Sequence, residues 1–191
     1  SSDVCSSDLD ILILAPTDKI LVQVKKHIEE FNRYSNFKID LYSLKDYEKV
    51  KNENLFSFEG MKVFYYRSDL IDNESNVSKN SDGKRLNYEN YVNKGKWYII
   101  LDEAQNIKTS TSQIKKAVTR LNSKVNFALT GTPVENNIIE LWSIFDFILP
   151  GYLDTLPRFK RNYKEILNNP NSGKIENLRN VISPFIMRRT K

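Results

Sequence analysis

The chain has almost no cysteine: the single one, Cys5, stands among the first nine residues. Disulfides within the chain and cysteine-based metal sites are thereby excluded. Glycine is scarce as well. The six are Gly60, Gly83, Gly95, Gly131, Gly151 and Gly173, and no two of them stand in the spacing GxxxxGK[ST]. Gly83-Lys84 and Gly95-Lys96 have the second half of that pattern, but neither has a glycine five positions upstream. The loop whose backbone amides and lysine cradle phosphates is therefore not among these residues. Long apolar runs are missing too, and stretches such as Trp97–Leu101 fall far short of the roughly 20 residues a membrane-spanning helix needs. No signal-peptide pattern is present. Histidine is represented once, by His27 on the polar side of a helical pattern, where it reads as solvated. These shortages together lead us to expect a cytosolic protein with no membrane partner.

What is present is the composition of a globular domain. Of the 191 residues, 40% are hydrophobic and 28% charged, enough for one domain with a sizeable core, or one domain and a small appendage. Formal charge is +5 from 29 basic and 24 acidic residues, compatible with a polyanionic partner and equally with a lysine-rich solubilising surface. Abundant asparagine and lysine read as the codon bias of an AT-rich bacterial genome. Residues 1–9, SSDVCSSDL, lack apolar periodicity and read as a non-native leader, with a short native tail as the alternative.

Two stretches carry the chemistry. Trp97-Tyr98-Ile99-Ile100-Leu101 has the aromatic and β-branched content of a strand buried on both faces, and it ends in two carboxylates, Asp102 and Glu103. Val125 to Leu129 is a second apolar run, ending in Thr130-Gly131-Thr132-Pro133. Between them Ile114, Ala117, Val118 and Leu121 recur at helical spacing, so the unit reads strand–helix–strand. Ligands of open parallel sheets sit beyond the carboxyl ends of the strands, which puts both polar clusters on one rim. A strand-end carboxylate can hold magnesium through its water shell. A second one beside it can orient and deprotonate a water. Adjacent strand residues face opposite sides, so the two can cooperate only if the chain is already turning at Asp102.

The rest of the chain alternates strand and helix. Asp10–Ala15 is a further buried-strand candidate, closed by Pro16-Thr17. Leu21, Val24, Ile28 and Phe31 share one face of the helix that follows, capped by Thr17 or Asp18. Phe37–Ser43 and Met61–Tyr66 read as strands, with a helix and loop between them over Leu44–Phe58. Asp69–Lys96, rich in Asn, Ser, Lys and Asp, reads as a solvated insertion. Ile138, Leu141, Trp142, Phe145 and Ile148 mark an amphipathic helix stopped by Pro150-Gly151. Two more helices, Leu156–Leu167 and Lys174–Ile182, follow, with Phe159, Tyr163 and Ile166 as a packing stripe.

ILDEAQNIK followed by LTGTPVEN resembles motifs II and III of superfamily two helicases, and within them the Snf-type DNA-dependent ATPases. ELWSIFDFILPGYL and ISPFIMRRTK resemble that family's segments after motif III, and LAPTDKILVQVKKHIEEF its motif Ia. An acidic pair alone is common on solvated surfaces; segments matching in order are specific. Resemblance spans most of residues 10–191 and is poor over about 44–95. It implies an α/β fold: a RecA-like (P-loop NTPase) parallel sheet over 10–136, incomplete at its N-terminal edge, with a helical protrusion and the start of an interlobe linker over 137–191. It implies ATP and Mg2+ as cofactors and double-stranded DNA as partner. RNA polymerase or other DNA-bound proteins are further candidate partners, and the protein is expected to be a monomer in the bacterial cytoplasm, associated with the nucleoid.

By the same resemblance Asp102 holds the metal through water and Glu103 positions the attacking water. Gln105 and Thr130-Gly131-Thr132 sense the γ-phosphate, so Asp102, Glu103, Thr130, Gly131 and Thr132 form the nucleotide site. Gln105 stands where other branches often have histidine or aspartate. Pro16, Thr17 and Lys19 contact a DNA backbone phosphate. Tyr65-Tyr66-Arg67 replaces the usual threonine-threonine-tyrosine turn of motif Ib, leaving Arg67 as the phosphate contact there. Arg188-Arg189-Lys191 reads as linker rather than as a phosphate contact. The P-loop is expected before Asp10 and the second lobe after Lys191, so this piece alone is expected to be inactive. An RNA helicase lobe, a restriction-type translocase lobe, and a non-catalytic module docking on DNA or polymerase remain alternatives.

Overall fold

A computed structural model describes residues 10–46, 49–50, 60–67, 97–107, 113–119, 121–131, 138–168 and 173–189. Its strands are β1 (Asp10–Ala15), β2 (Lys38–Ser43), β3 (Gly60–Arg67), β4 (Trp97–Leu101) and β5 (Ser123–Ala128). They form one five-stranded sheet in the order β2-β3-β1-β4-β5, with every neighbouring pair parallel. The helices are α1 (Asp18–Tyr34), α2 (Gln113–Thr119), α3 (Ile138–Ile148), α4 (Leu156–Asn168) and α5 (Gly173–Ile182). A parallel sheet with helical crossovers is the RecA-like architecture that the motif order implied. Among the described residues no helix is long and apolar enough to cross a membrane. The insertion expected over 69–96 and most of the helix and loop expected over 44–58 lie outside the described residues; Leu44–Asp46 forms a short 3-10 turn.

Register explains the core. Leu12 sits opposite Phe64 and Ile99, and Leu14 opposite Tyr66 and Leu101, so these side chains line one face. Trp97, Tyr42 and Ala128 extend that face across the sheet. Phe64 meets Trp97 edge-on with ring centroids 5.5 Å apart, a favoured aromatic geometry. Val118 and Leu121 close this face from the α2 side, Ile144 and Phe147 from α3. The second face carries Ile11, Ile13 and Val63 and is crossed by α1, which packs against β1, β2 and β3.

That second face corrects two expectations and leaves one apolar flank exposed. β4 is not buried on both sides: Trp97, Ile99 and Leu101 are buried while Tyr98 and Ile100 are only partly so. On β5, Val125, Phe127 and the following Leu129 are 40%, 51% and 52% exposed, while α1 packs against β1–β3 on the same face. Phe31 was expected on the packed face of α1 and is 46% exposed; Leu21, Val24 and Ile28 are the partly buried residues.

A second core belongs to the C-terminal helices. Leu141, Trp142 and Phe145 of α3 join Leu153, Phe159, Leu178 and Ile182, with Tyr163 packed against them. α3 is thus buried on two sides, its Ile144 and Phe147 facing the sheet and the others facing α4 and α5. The single amphipathic face expected of it is too narrow a description. Gly151, at φ +83°, makes the left-handed turn that ends α3, a conformation glycine adopts without a Cβ penalty.

Candidate functional site

Strand pairing fixes the rim before any side chain is considered. Leu101 of β4 is bracketed by β1 and β5, and the ladder runs slightly past the strand ends. Asp102 N donates to Leu14 O at 2.8 Å, Leu129 N to Leu101 O at 2.8 Å, and Ala104 N to Leu129 O at 2.9 Å. Backbone hydrogen bonds on both sides therefore hold the 102–104 segment against the ends of β1 and β5.

At Asp102 the chain turns. Glu103 has φ +50°, a left-handed conformation that is uncommon for a non-glycine residue and is worth noting at a functional rim. The turn cancels the strand alternation that would send adjacent side chains to opposite faces. Asp102 contributes directly: its Oδ1 accepts from Glu103 N at 2.8 Å. A 3-10 turn, Ala104–Ile107, follows, anchored by the fully buried Ala104 and Ile107. Asn106 closes it, donating from both its backbone N and its Nδ2 to Glu103 O at 3.0 Å.

Side chains then connect the two strand ends. Gln105 Nε2 donates to Glu103 Oε2. Thr130 Oγ1 donates to Gln105 Oε1 at 2.8 Å. The Gln105 amide is used at both ends, so the chain Thr130–Gln105–Glu103 has one consistent direction of donation. Asp102, Glu103, Gln105 and Thr130 are all partly buried, and Gly131 is exposed at the rim. Among the described residues, a Cβ built at Gly131 would meet nothing within 4 Å. Thr132, expected in the same cluster, lies outside the described residues.

Two adjacent carboxylates at a parallel sheet's carboxyl edge suit a hard divalent cation such as magnesium, which takes one or two carboxylates and keeps several waters. Oδ1 of Asp102 spends one acceptor direction on Glu103 N, of roughly four that a carboxylate offers. The donor set and the open space at Gly131 fit a magnesium-bound phosphate chain.

A second cluster stands at the ends of β1 and β3. Thr17 caps α1, its Oγ1 accepting from Ile20 N at 3.4 Å. Pro16 is half-buried, while Thr17 and Lys19 are exposed. Arg67 lies opposite Ala15 in the β1–β3 register, beside that turn, and pairs with Asp18 at 2.9 Å. Carboxyl ends of the strands thus carry both candidate sites, with Asp102–Gln105 and Thr130 after β4 and β5, and Pro16–Lys19 and Arg67 after β1 and β3. His27 is exposed, as a solvated histidine is.

Sequence reasoning missed the bonds of Asn106 and saw Asp18 only as an alternative helix cap, not as the partner of Arg67. Asn106 had a signal, since asparagine just after a turning residue often bonds the backbone behind it. Asp18 had none, because its partner is 49 residues away in the chain.

Parallel strand order, the carboxylate turn after β4 and the threonine–glycine turn after β5 define a RecA-like lobe of the helicase-like ATPase class. The chain belongs to the SNF2-related domain family, whose model matches residues 7–191. It is 31% identical over 189 residues to an uncharacterised ATP-dependent helicase of Mycoplasma pneumoniae, covering 96% of this chain and 16% of that protein. It is 45% identical over 94 residues to the putative ATP-dependent helicase/translocase YwqA of Bacillus subtilis, covering 49% of this chain and 10% of that one. Among solved structures it resembles the Sulfolobus solfataricus SWI2/SNF2 ATPase core in complex with double-stranded DNA, with TM-score 0.65 and 29% identity over 97% of this chain and 35% of that one. The chain therefore spans a small part of the length of these relatives.

Proposed function

We propose that this chain is the part of an ATP-dependent DNA translocase's first ATPase lobe that prepares water for attack on a nucleotide and couples that event to a duplex. The observation that carries the reading is the Thr130–Gln105–Glu103 hydrogen-bond chain at the carboxyl edge of a parallel sheet. Magnesium, when bound with ATP, would supply charge neutralisation at the β- and γ-phosphates. Asp102 would hold the ion through its water shell, and Glu103 would orient and deprotonate the attacking water. Gln105 fixes the Glu103 carboxylate, and Thr130 fixes Gln105. Gly131 leaves room for the phosphates.

The DNA side of the reading rests on Pro16, Thr17, Lys19 and Arg67, which share a rim with the carboxylates and present a helix start and a guanidinium. Both features favour phosphate and carry no base information, so the duplex is gripped by its backbone. The Sulfolobus relative bound to double-stranded DNA supports a duplex over a single strand. Proteins already seated on DNA, RNA polymerase among them, are the obstacles such a monomeric motor would meet.

The test uses the full-length protein. Glu103→Gln should reduce DNA-stimulated ATP hydrolysis by at least about a hundredfold, in the range of losing a general base, while nucleotide binding stays near wild type. Undiminished turnover by the variant would remove Glu103 as the base.

A further inference from the structure

Arg67 and Asp18 come together because β1 and β3 are in register. Ala15 lies opposite Arg67, so the guanidinium stands beside the turn that leads into α1. Its Nη1 donates to Asp18 Oδ2 at 2.9 Å. The Arg67 side chain is 32% exposed and that of Asp18 is 74% exposed. Asp18 also occupies the first turn of α1, where unpaired amides and the positive end of the helix dipole favour an anion. One carboxylate thus pairs with the guanidinium and stands in the first turn of the helix, beside the two features of this rim that attract a phosphate.

We propose that Asp18 is an internal competitor of the DNA backbone at Arg67, its carboxylate giving way when a duplex phosphate docks. The inference rests on the reading of this rim as the phosphate-facing surface. An ion pair as exposed as this one contributes little to the fold, so opening it is cheap. A backbone phosphodiester carries one negative charge, as the carboxylate does, and offers the guanidinium a comparable pair of oxygens, so the exchange is close to balance and is tipped toward DNA by the other phosphates of a docked duplex. When the phosphate leaves, the carboxylate reoccupies the arginine. The contact is thereby kept weak enough to break and remake, as movement along a backbone demands.

The experiment is binding of a short fluorescein-labelled duplex to the full-length protein without nucleotide, followed by anisotropy across a salt series. Asp18→Asn should tighten binding by about three- to tenfold at low salt, and the gain should shrink as salt screens the Arg67–phosphate attraction it frees. Asp18→Ala, a second neutral variant with a different helix start, should do the same. Arg67→Ala should weaken binding, and adding Asp18→Asn to it should change little. If Arg67→Ala weakens binding while both Asp18 variants leave it unchanged, the competitor role fails and the rim reading stands. If the Asp18 variants tighten binding equally with and without Arg67, Asp18 is a general repulsive charge and the exchange at Arg67 is refuted. If neither residue matters, the rim does not face DNA and the inference falls with it.

Discussion

Thr130 and Gln105, 25 residues apart in the chain, are joined by a 2.8 Å hydrogen bond from the threonine hydroxyl to the glutamine Oε1. Because the other end of the same amide donates to Glu103, a change at the β5 rim reaches the carboxylate at the β4 rim through one side chain.

On the proposed function, Gln105→Ala should therefore lower the kcat of DNA-stimulated ATP hydrolysis in the full-length protein by about ten- to a hundredfold, through loss of positioning. ATP binding should change little. Thr130→Val should give a smaller loss, and the double variant should resemble Gln105→Ala alone, because residues in one hydrogen-bond chain are not additive. Additive losses would show that Thr130 acts separately. Steady-state kinetics with nucleotide binding measured in parallel checks this.

Between the sheet and the C-terminal helices, Lys115 of α2 is 95% buried, pairs with Asp146 of α3 at 2.9 Å and lies 4.2 Å from the Trp142 ring centroid. Removing one partner of a buried pair leaves an uncompensated charge. Asp146→Ala should cost about 2–3 kcal/mol, at or below the lower end of that class because the carboxylate is partly exposed. Lys115→Met, which keeps the stem and removes the charge, should cost less. Thermal midpoints, with hydrogen exchange on α2 and α3, would read the difference.

Trp97 is fully buried and edge-on to Phe64. Trp97→Ala should destabilise the sheet by about 3–5 kcal/mol, from lost transfer energy and the cavity left behind. Denaturant melts followed at the sheet would measure it, and a loss under about 1 kcal/mol would mean that the site collapses around the smaller side chain.

Asp154, in a left-handed turn at φ +62°, precedes α4 and accepts from Thr155 N at 2.6 Å. That hydrogen bond, aided by the charges of Arg158 and Arg161, holds its carboxyl below the usual range. A depressed carboxylate contributes stability above its unfolded pKa, about 3.9, and loses it as pH falls through the folded value. Asp154→Asn, which tolerates the same backbone, should lower the thermal midpoint slightly at neutral pH. The two proteins should converge in acid.

Local chemistry was the legible part. Alternation and helical spacing located the five strands and five helices of the described residues to within a residue or two at most ends. The condition that Asp102 and Glu103 cooperate only in a turning chain is met by the positive φ at Glu103. What could not be read depends on partners distant in sequence. Gln105 was visible as a motif position, but its bond to Glu103 needs the 3-10 turn to bring the amide back. The two-sided burial of α3 needs two cores, and one helical wheel shows only the stronger stripe. The exposure of Phe127 was invisible for the opposite reason: an apolar strand looks the same whether or not a helix covers it.

That uncovered flank has a practical consequence. Val125, Phe127 and Leu129 line the outward face of β5, which pairs only with β4 among the described strands. A hydrophobic strand at a sheet edge is a template for unwanted pairing. This polypeptide should therefore self-associate through β5 as its concentration rises, and replacing Phe127 with a charged residue should suppress that, as light scattering would show.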